Sequence, residues 1–180
     1  MTALETYPIT VGNVTRHVPL VETLPGMRIP LIEFLGDTEL VEEAARLLAE
    51  RVPEEGDFLF SIECSPAPLV HRIAQMTGLP YTVARKRRRA YMEDPLIQEV
   101  PSLTLGASET LWLDRRWAER MINQRVVLVM DVVSSGGTMK ALDRLVQRAG
   151  GTVVKRLAVF QQGKREFDGE VEHLYEIPIL

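Results

Sequence analysis

Short apolar runs and helically spaced apolar positions alternate along most of this chain, an order that predicts a parallel sheet covered by helices. Up to Gly36 the sequence is strand-like and punctuated by Pro and Gly. Asp37 or Thr38 then suits a helix N-cap, and Val41, Ala44, Ala45, Leu48 and Val52 fall on one helical face before Pro53 and Gly56 close it. Phe58 to Ile62 forms a short apolar run, followed by the loop ECSPAP and a helix marked by Leu69, Val70, Ile73 and Ala74 that stops at Gly78. Tyr81 to Ala84 predicts a second strand. The charged, weakly periodic stretch RKRRRAYMEDPLIQEVPSLTLGASE then reads as an excursion containing a hairpin. Asp114 suits the cap of a short helix bearing Trp117, Ala118, Met121 and Ile122, and Arg125 leads into VVLVM, the clearest buried strand. A helix with Leu142, Leu145, Val146 and Ala149 on one face follows, ended by Gly150 and Gly151. The last segments, VVKRLAVF and EIPIL, read as two closing strands around a polar turn.

At 180 residues, with 46% hydrophobic and 26% charged, the chain suits one folded domain and not a disordered or fibrous protein. The expected division is 1–36 as an N-terminal addition, 37–165 as the core and 166–180 as the closing strand. Twenty-one Lys and Arg against 25 Asp and Glu leave a net charge of −4, so any anion-binding site must be local. The single Cys64 forms no internal disulfide and no cysteine metal cluster, which favours a reducing compartment. The sequence has no run long enough to span a membrane and no signal-like start, so the expectation is a cytoplasmic protein without a membrane partner.

The chemistry concentrates after the clearest strand. In VVLVMDVVSSGGT a buried strand ends in Asp131 and runs through Val132, Val133, Ser134, Ser135, Gly136, Gly137 and Thr138 into a helix. Free N–H groups and the positive dipole end of a helix attract a phosphomonoester, glycines allow close approach, and hydroxyls add donors. A carboxylate at the strand's end suits a sugar diol or a metal-bound hydroxyl. There is neither a GxxxxGK[ST] triphosphate loop nor a GxGxxG dinucleotide turn. A glycine-rich turn that binds nothing is the plain alternative.

This stretch resembles the phosphoribosyl-pyrophosphate (PRPP) signature of type I phosphoribosyltransferases: apolar strand, two acids, two apolar residues and a Ser/Thr-Gly-Gly-Thr loop. The likeness runs from about Phe58 to Phe160, and VARK at Val83 to Lys86 looks like the adenine subgroup. It implies a parallel α/β core with helices on both faces, a small N-terminal hood and a mobile loop. It also implies transfer of a phosphoribosyl group to a purine base with release of pyrophosphate, in nucleotide salvage. Residue by residue, Asp131 falls where the family holds the ribose hydroxyls, and Ser134 to Thr138 fall on the 5′-phosphate loop. Glu63, Cys64, Ser65 and Pro66 fall on the pyrophosphate loop, while Arg85 and Lys86 fall on its cationic contacts. Asp131, Arg85 and Lys86 are thus the candidate catalytic residues. Mg²⁺ is expected to arrive with PRPP, reaching the protein at most through water on Asp131, and the assembly is expected to be a homodimer.

Two departures matter. The first acid is Met130, which accepts no hydrogen bond from a ribose hydroxyl. Ser134 stands where 6-oxopurine members place an aspartate, so adenine or a related base is favoured. Met130 motivates a rival of another class, a PRPP- or nucleotide-sensing protein without efficient chemistry. The run Arg85 to Arg89 lacks interleaved aromatics, so a nucleic-acid partner is not expected; its outer residues suit either a solvated loop or a mobile flap with Tyr91. Cys64 is read as a small structural thiol, Glu63, Glu93 and Asp94 as solvated carboxylates, and His17, His71 and His173 as structural or exposed. Trp112 and Trp117 read as core or subunit anchors, and Val18 to Phe34 as the source of an apolar slot for the base.

Overall fold

A computed structural model describes residues 5–100, 109–163 and 169–180 of the chain. The first unit is an antiparallel sheet of β1 (Thr6–Val11), β2 (Val14–Leu24) and β3 (Met27–Pro30). Then come α1 (Thr38–Ala49), β4 (Phe58–Ile62), α2 (Ala67–Thr77) and β5 (Tyr81–Ala84). A hairpin of β6 (Leu96–Val100) and β7 (Glu109–Leu113) precedes α3 (Arg115–Arg120), β8 (Arg125–Val133), α4 (Gly137–Arg148), β9 (Thr152–Gln162) and β10 (Glu172–Ile177).

Five strands form one sheet in the order β10-β9-β8-β4-β5, with every pairing parallel. Period-2 alternation along β8 sends Leu128 and Met130 to one face and Val127 and Val129 to the other. The first face is covered by α3, α4 and the β6–β7 hairpin through Ala118, Met139, Leu142, Leu145, Leu111 and Leu113. The second is covered by α1 and α2 through Leu40, Ala44, Leu48, Leu69, Val70 and Ile73. Helices therefore lie on both faces of a parallel sheet, as the family resemblance implies.

Local signals explain the element ends. Asp37 caps α1 by accepting from the Leu40 N–H at 3.0 Å, and Gly78 closes α2 in the left-handed conformation at φ 73°. Three expectations need correction. The strand read as VVLVM continues to Val133, because Val132 and Val133 still pair with β9. The short helix ends at Arg120, so Ile122 lies beyond it and is 51% exposed instead of facing the core. The closing strands are parallel, with Phe160 opposite Tyr175, so a tight turn cannot join them. Residues 101–108 of the charged excursion and 164–168 of the last connection lie outside the described residues.

The N-terminal sheet packs on the α1 side through Ile9, Val11 and Val14, and the Gly12 N–H donates to the Tyr175 hydroxyl at 2.8 Å. Arg28 and Leu180 exchange backbone hydrogen bonds of 2.8 Å. Among the described residues no helix is long and apolar enough to cross a membrane.

Candidate functional site

Parallel pairing gathers the carboxyl ends of β4, β5, β8 and β9 along one edge, since Ile62 registers with Ala84 and Val133 with Gln161. The segments leaving the first three ends are Glu63 to Pro66, Arg85 with Lys86, and Ser134 to Thr138, and Gln161 is the penultimate residue of β9. The sequence candidates thus come from separate parts of the chain to a common edge.

Asp131 is 8% exposed, and its Oδ1 accepts from the Val132 N–H at 2.7 Å. Burial pushes its carboxyl above the usual range, opposed by a hydrogen bond from Ser65, by backbone N–H groups and by the charge of Lys86. Ser65 therefore bonds Asp131, joining the β4 and β8 loops, while the charge of Lys86 acts on that carboxyl from the end of β5. Ser65 Oγ also accepts from the Phe34 N–H at 3.2 Å, which ties the segment after β3 to the same point.

The loop after β8 ends at Gly136, which caps α4 with φ 90°, a left-handed value that glycine adopts without a Cβ clash. No side chain caps this helix, so its first N–H groups stay available to an anion. Met139 and Leu142 bury the face behind the loop and fix where the helix starts. Val132 and Val133 belong to β8, and the 3% exposed Val133 packs in the core, so any contact Val133 offers a ligand is through backbone.

Glu63 departs from the solvated role expected of it. It is 7% exposed and receives Arg85 at 2.8 Å, the Lys86 N–H at 2.8 Å and Arg89 at 3.6 Å. Burial raises its carboxyl, but Arg85, the Lys86 amide and the charges of Arg85 and Arg89 outweigh this and hold it below the ordinary value. Arg85 also meets the Tyr91 hydroxyl, and Lys86 pairs with Glu109 at 2.8 Å. The two candidate cations are thus held by carboxylates at the mouth of the site. Cys64, read as a structural thiol, is exposed.

Outside this edge, Asp94 pairs with Arg115, Glu93 lies beside Tyr91 and Arg116, and the exposed His71 bonds the Tyr81 hydroxyl at 3.0 Å. Trp117 meets Phe58 edge-on at 6.4 Å, consistent with an anchoring role, and Trp112 bridges to Arg85 through backbone. Sequence reasoning missed Glu109 and Gln161, and named Phe34 only as the edge of a base slot. Their partners lie 23, 27 and 31 residues away, beyond the reach of any local spacing signal.

No cluster of three His, Cys, Asp or Glu able to hold a metal occurs among the described residues. The donor set at Asp131 fits Mg²⁺ carried on phosphate oxygens and water, reached by one carboxylate, and not a cage built by protein.

Residues 35–172 match the model of the family described as phosphoribosyl transferase domain. A hypoxanthine/guanine phosphoribosyltransferase of Methanocaldococcus sp. (strain FS406-22) is 30% identical over 152 residues, covering 84% of this chain and 72% of that protein. The enzyme of the same name from Methanocella paludicola is 24% identical over 125 residues, 69% of this chain and 62% of its own length. In three dimensions the chain is similar to adenine phosphoribosyltransferase from Thermoanaerobacter pseudethanolicus, with a TM-score of 0.71, 19% identity, and 96% and 95% of the two chains covered.

Proposed function

This chain belongs to the phosphoribosyl transferase domain family, and on that premise we propose that it moves the 5-phosphoribosyl group of PRPP to a purine base, adenine or a close relative. The observation that carries this is an uncapped, glycine-started helix following Asp131, with Ser65 bonded to that carboxylate and Arg85 and Lys86 leaving the neighbouring strand end. The Asp131 carboxylate accepts from the ribose hydroxyls while Ser65 and the Val132 N–H hold its orientation. Backbone N–H groups of 135–138 and the hydroxyls of Ser134, Ser135 and Thr138 receive the 5′-phosphate. Arg85 and Lys86 exchange Glu63 and Glu109 for the pyrophosphate. A base nitrogen then bonds to C1′ as the C1′–O bond to pyrophosphate breaks, pyrophosphate leaves with the electron pair, and the proton of that nitrogen passes to pyrophosphate or water. Mg²⁺, bound with PRPP, supplies positive charge against the leaving group. Positioning and charge stabilisation carry the rate.

Support for an adenine-type base comes from Ser134, which offers no carboxylate where the 6-oxopurine pattern places one. Pyrophosphate release from PRPP and Mg²⁺ is expected with adenine or an adenine analogue and weakly with hypoxanthine or guanine. Faster release with the oxopurines overturns the base assignment. A single domain, a cytoplasmic homodimer and a closing flap around Tyr91 belong to the same proposal; light scattering reads the assembly against the 20.3 kDa chain.

The absence of the family's first acid at Met130 motivates a second reading, a PRPP- or nucleotide-sensing protein, which predicts binding without release for every base; the burial of Met130 in the core weighs against it. A further expected outcome separates competition from support at the cations. Because Glu63 occupies Arg85, Glu63→Gln should tighten pyrophosphate binding about fivefold, on the order of 1 kcal/mol for one partly exposed ion pair. Weaker binding on calorimetry would mean that Glu63 orients Arg85 instead of competing for it.

A further inference from the structure

At the end of β9 stands a glutamine for which the signature loop has no role. Gln161 is 6% exposed and lies opposite Val133, the last residue of β8. Its Nε2 donates to three backbone carbonyls, Gly163 at 3.1 Å, Ser134 at 3.2 Å and Gln162 at 3.4 Å. Those acceptors settle the orientation of the amide, since an oxygen in the same place would face three carbonyls. At the other end Oε1 is buried without a hydrogen-bond partner. Burying an acceptor unsatisfied opposes folding, so the amide is poorly explained as a device for stability alone.

The Ser134 carbonyl opens the 134–138 loop, and the loop's far end is secured by α4, where Lys140 N–H bonds the Gly136 carbonyl at 2.9 Å. Gly136 closes the stretch between these points and Gly137 opens α4, and glycine loses more conformational freedom on ordering than any other residue. A tether at Ser134 removes part of that loss before a ligand arrives. We propose that Gln161 is a positioning residue: its amide clamps the start of the 5′-phosphate loop to the β9–β10 connection and presets the loop's N–H groups for phosphate. This rests on the phosphoribosyl reading of the loop.

The test uses Gln161→Met, which keeps length without a donor, and Gln161→Lys, which restores a donor to the three carbonyls. In Gln161→Met the Kd for ribose 5-phosphate and the KM for PRPP should rise about tenfold, with kcat within about twofold, because the 5′-phosphate contact is made equally before and during reaction. Pyrophosphate affinity, which reads Arg85 and Lys86, should not change. Amide hydrogen exchange at Ser135 to Thr138 should accelerate in Gln161→Met and return toward the native rate in Gln161→Lys. Native exchange and native ribose 5-phosphate affinity in Gln161→Met overturn the clamp, as does loop exchange in Gln161→Lys no slower than in Gln161→Met. If the unaltered protein binds no ribose 5-phosphate, the phosphoribosyl reading falls, and the exchange comparison still decides whether Gln161 holds the loop.

Discussion

Asp131→Asn should lower PRPP-dependent pyrophosphate release at least about a hundredfold while leaving the chain folded. The substitution keeps the shape of a side chain that is 8% exposed, and removes the charge that in the proposed reaction accepts from the ribose hydroxyls. Hydrogen bonds to a charged group contribute about 1.5–3 kcal/mol each, so losing two of them reaches that factor with some to spare. Stability should move the other way. Burial places the folded carboxyl above its unfolded value, so between the two values the folded state holds more proton than the unfolded state. Stability therefore falls as pH rises through that window, and the ionised carboxylate weighs against folding at neutral pH. The amide lacks that burden, so Asp131→Asn should unfold at a urea midpoint equal to or above the native one at pH 7, with the gap closing in acid. A variant as active as the parent would remove Asp131 from the reaction. One that is inactive because it unfolds would give the carboxylate a structural role instead.

Met130→Asp, which restores the acid pair of the family pattern, should destabilise the protein by on the order of 3 kcal/mol and give no gain in turnover. Met130 is 6% exposed and lies on the β8 face buried with Leu128, Val133, Met139 and Ala158. A carboxylate there loses its water among the apolar side chains of that cluster. Met130→Leu keeps the volume and should cost under about 1.5 kcal/mol. Urea denaturation compares the two. A stable Met130→Asp protein with faster pyrophosphate release would show that the side chain at 130 reaches the ligand, contrary to the packing.

Local periodicity carried much of the architecture, because strands such as Phe58–Ile62 and Tyr81–Ala84 and the cap at Asp37 are decided within a few residues. Similar reasoning misjudged the end of β8, since Val132 and Val133 extend the strand only by pairing with Phe160 and Gln161. The site divides in the same way. Asp131, the glycines and Arg85 with Lys86 stand out as chemistry in one dimension. The ionic state of Glu63 does not, because it depends on Arg85 lying 22 residues on, at the end of the neighbouring parallel strand. Gln161 is no more conspicuous than Gln162 until the register of β8 and β9 sets it beside Ser134.

The most direct test of the central claim, that the edge formed by β4, β5 and β8 is a phosphoribosyl site dependent on Asp131, is a calorimetric titration of PRPP with Mg²⁺ into the unaltered chain and Asp131→Asn. Saturable binding to the first, weakened at least about a hundredfold in the second, is the predicted result. Heats indistinguishable from dilution for the unaltered chain, or equal affinity in the two proteins, would contradict it.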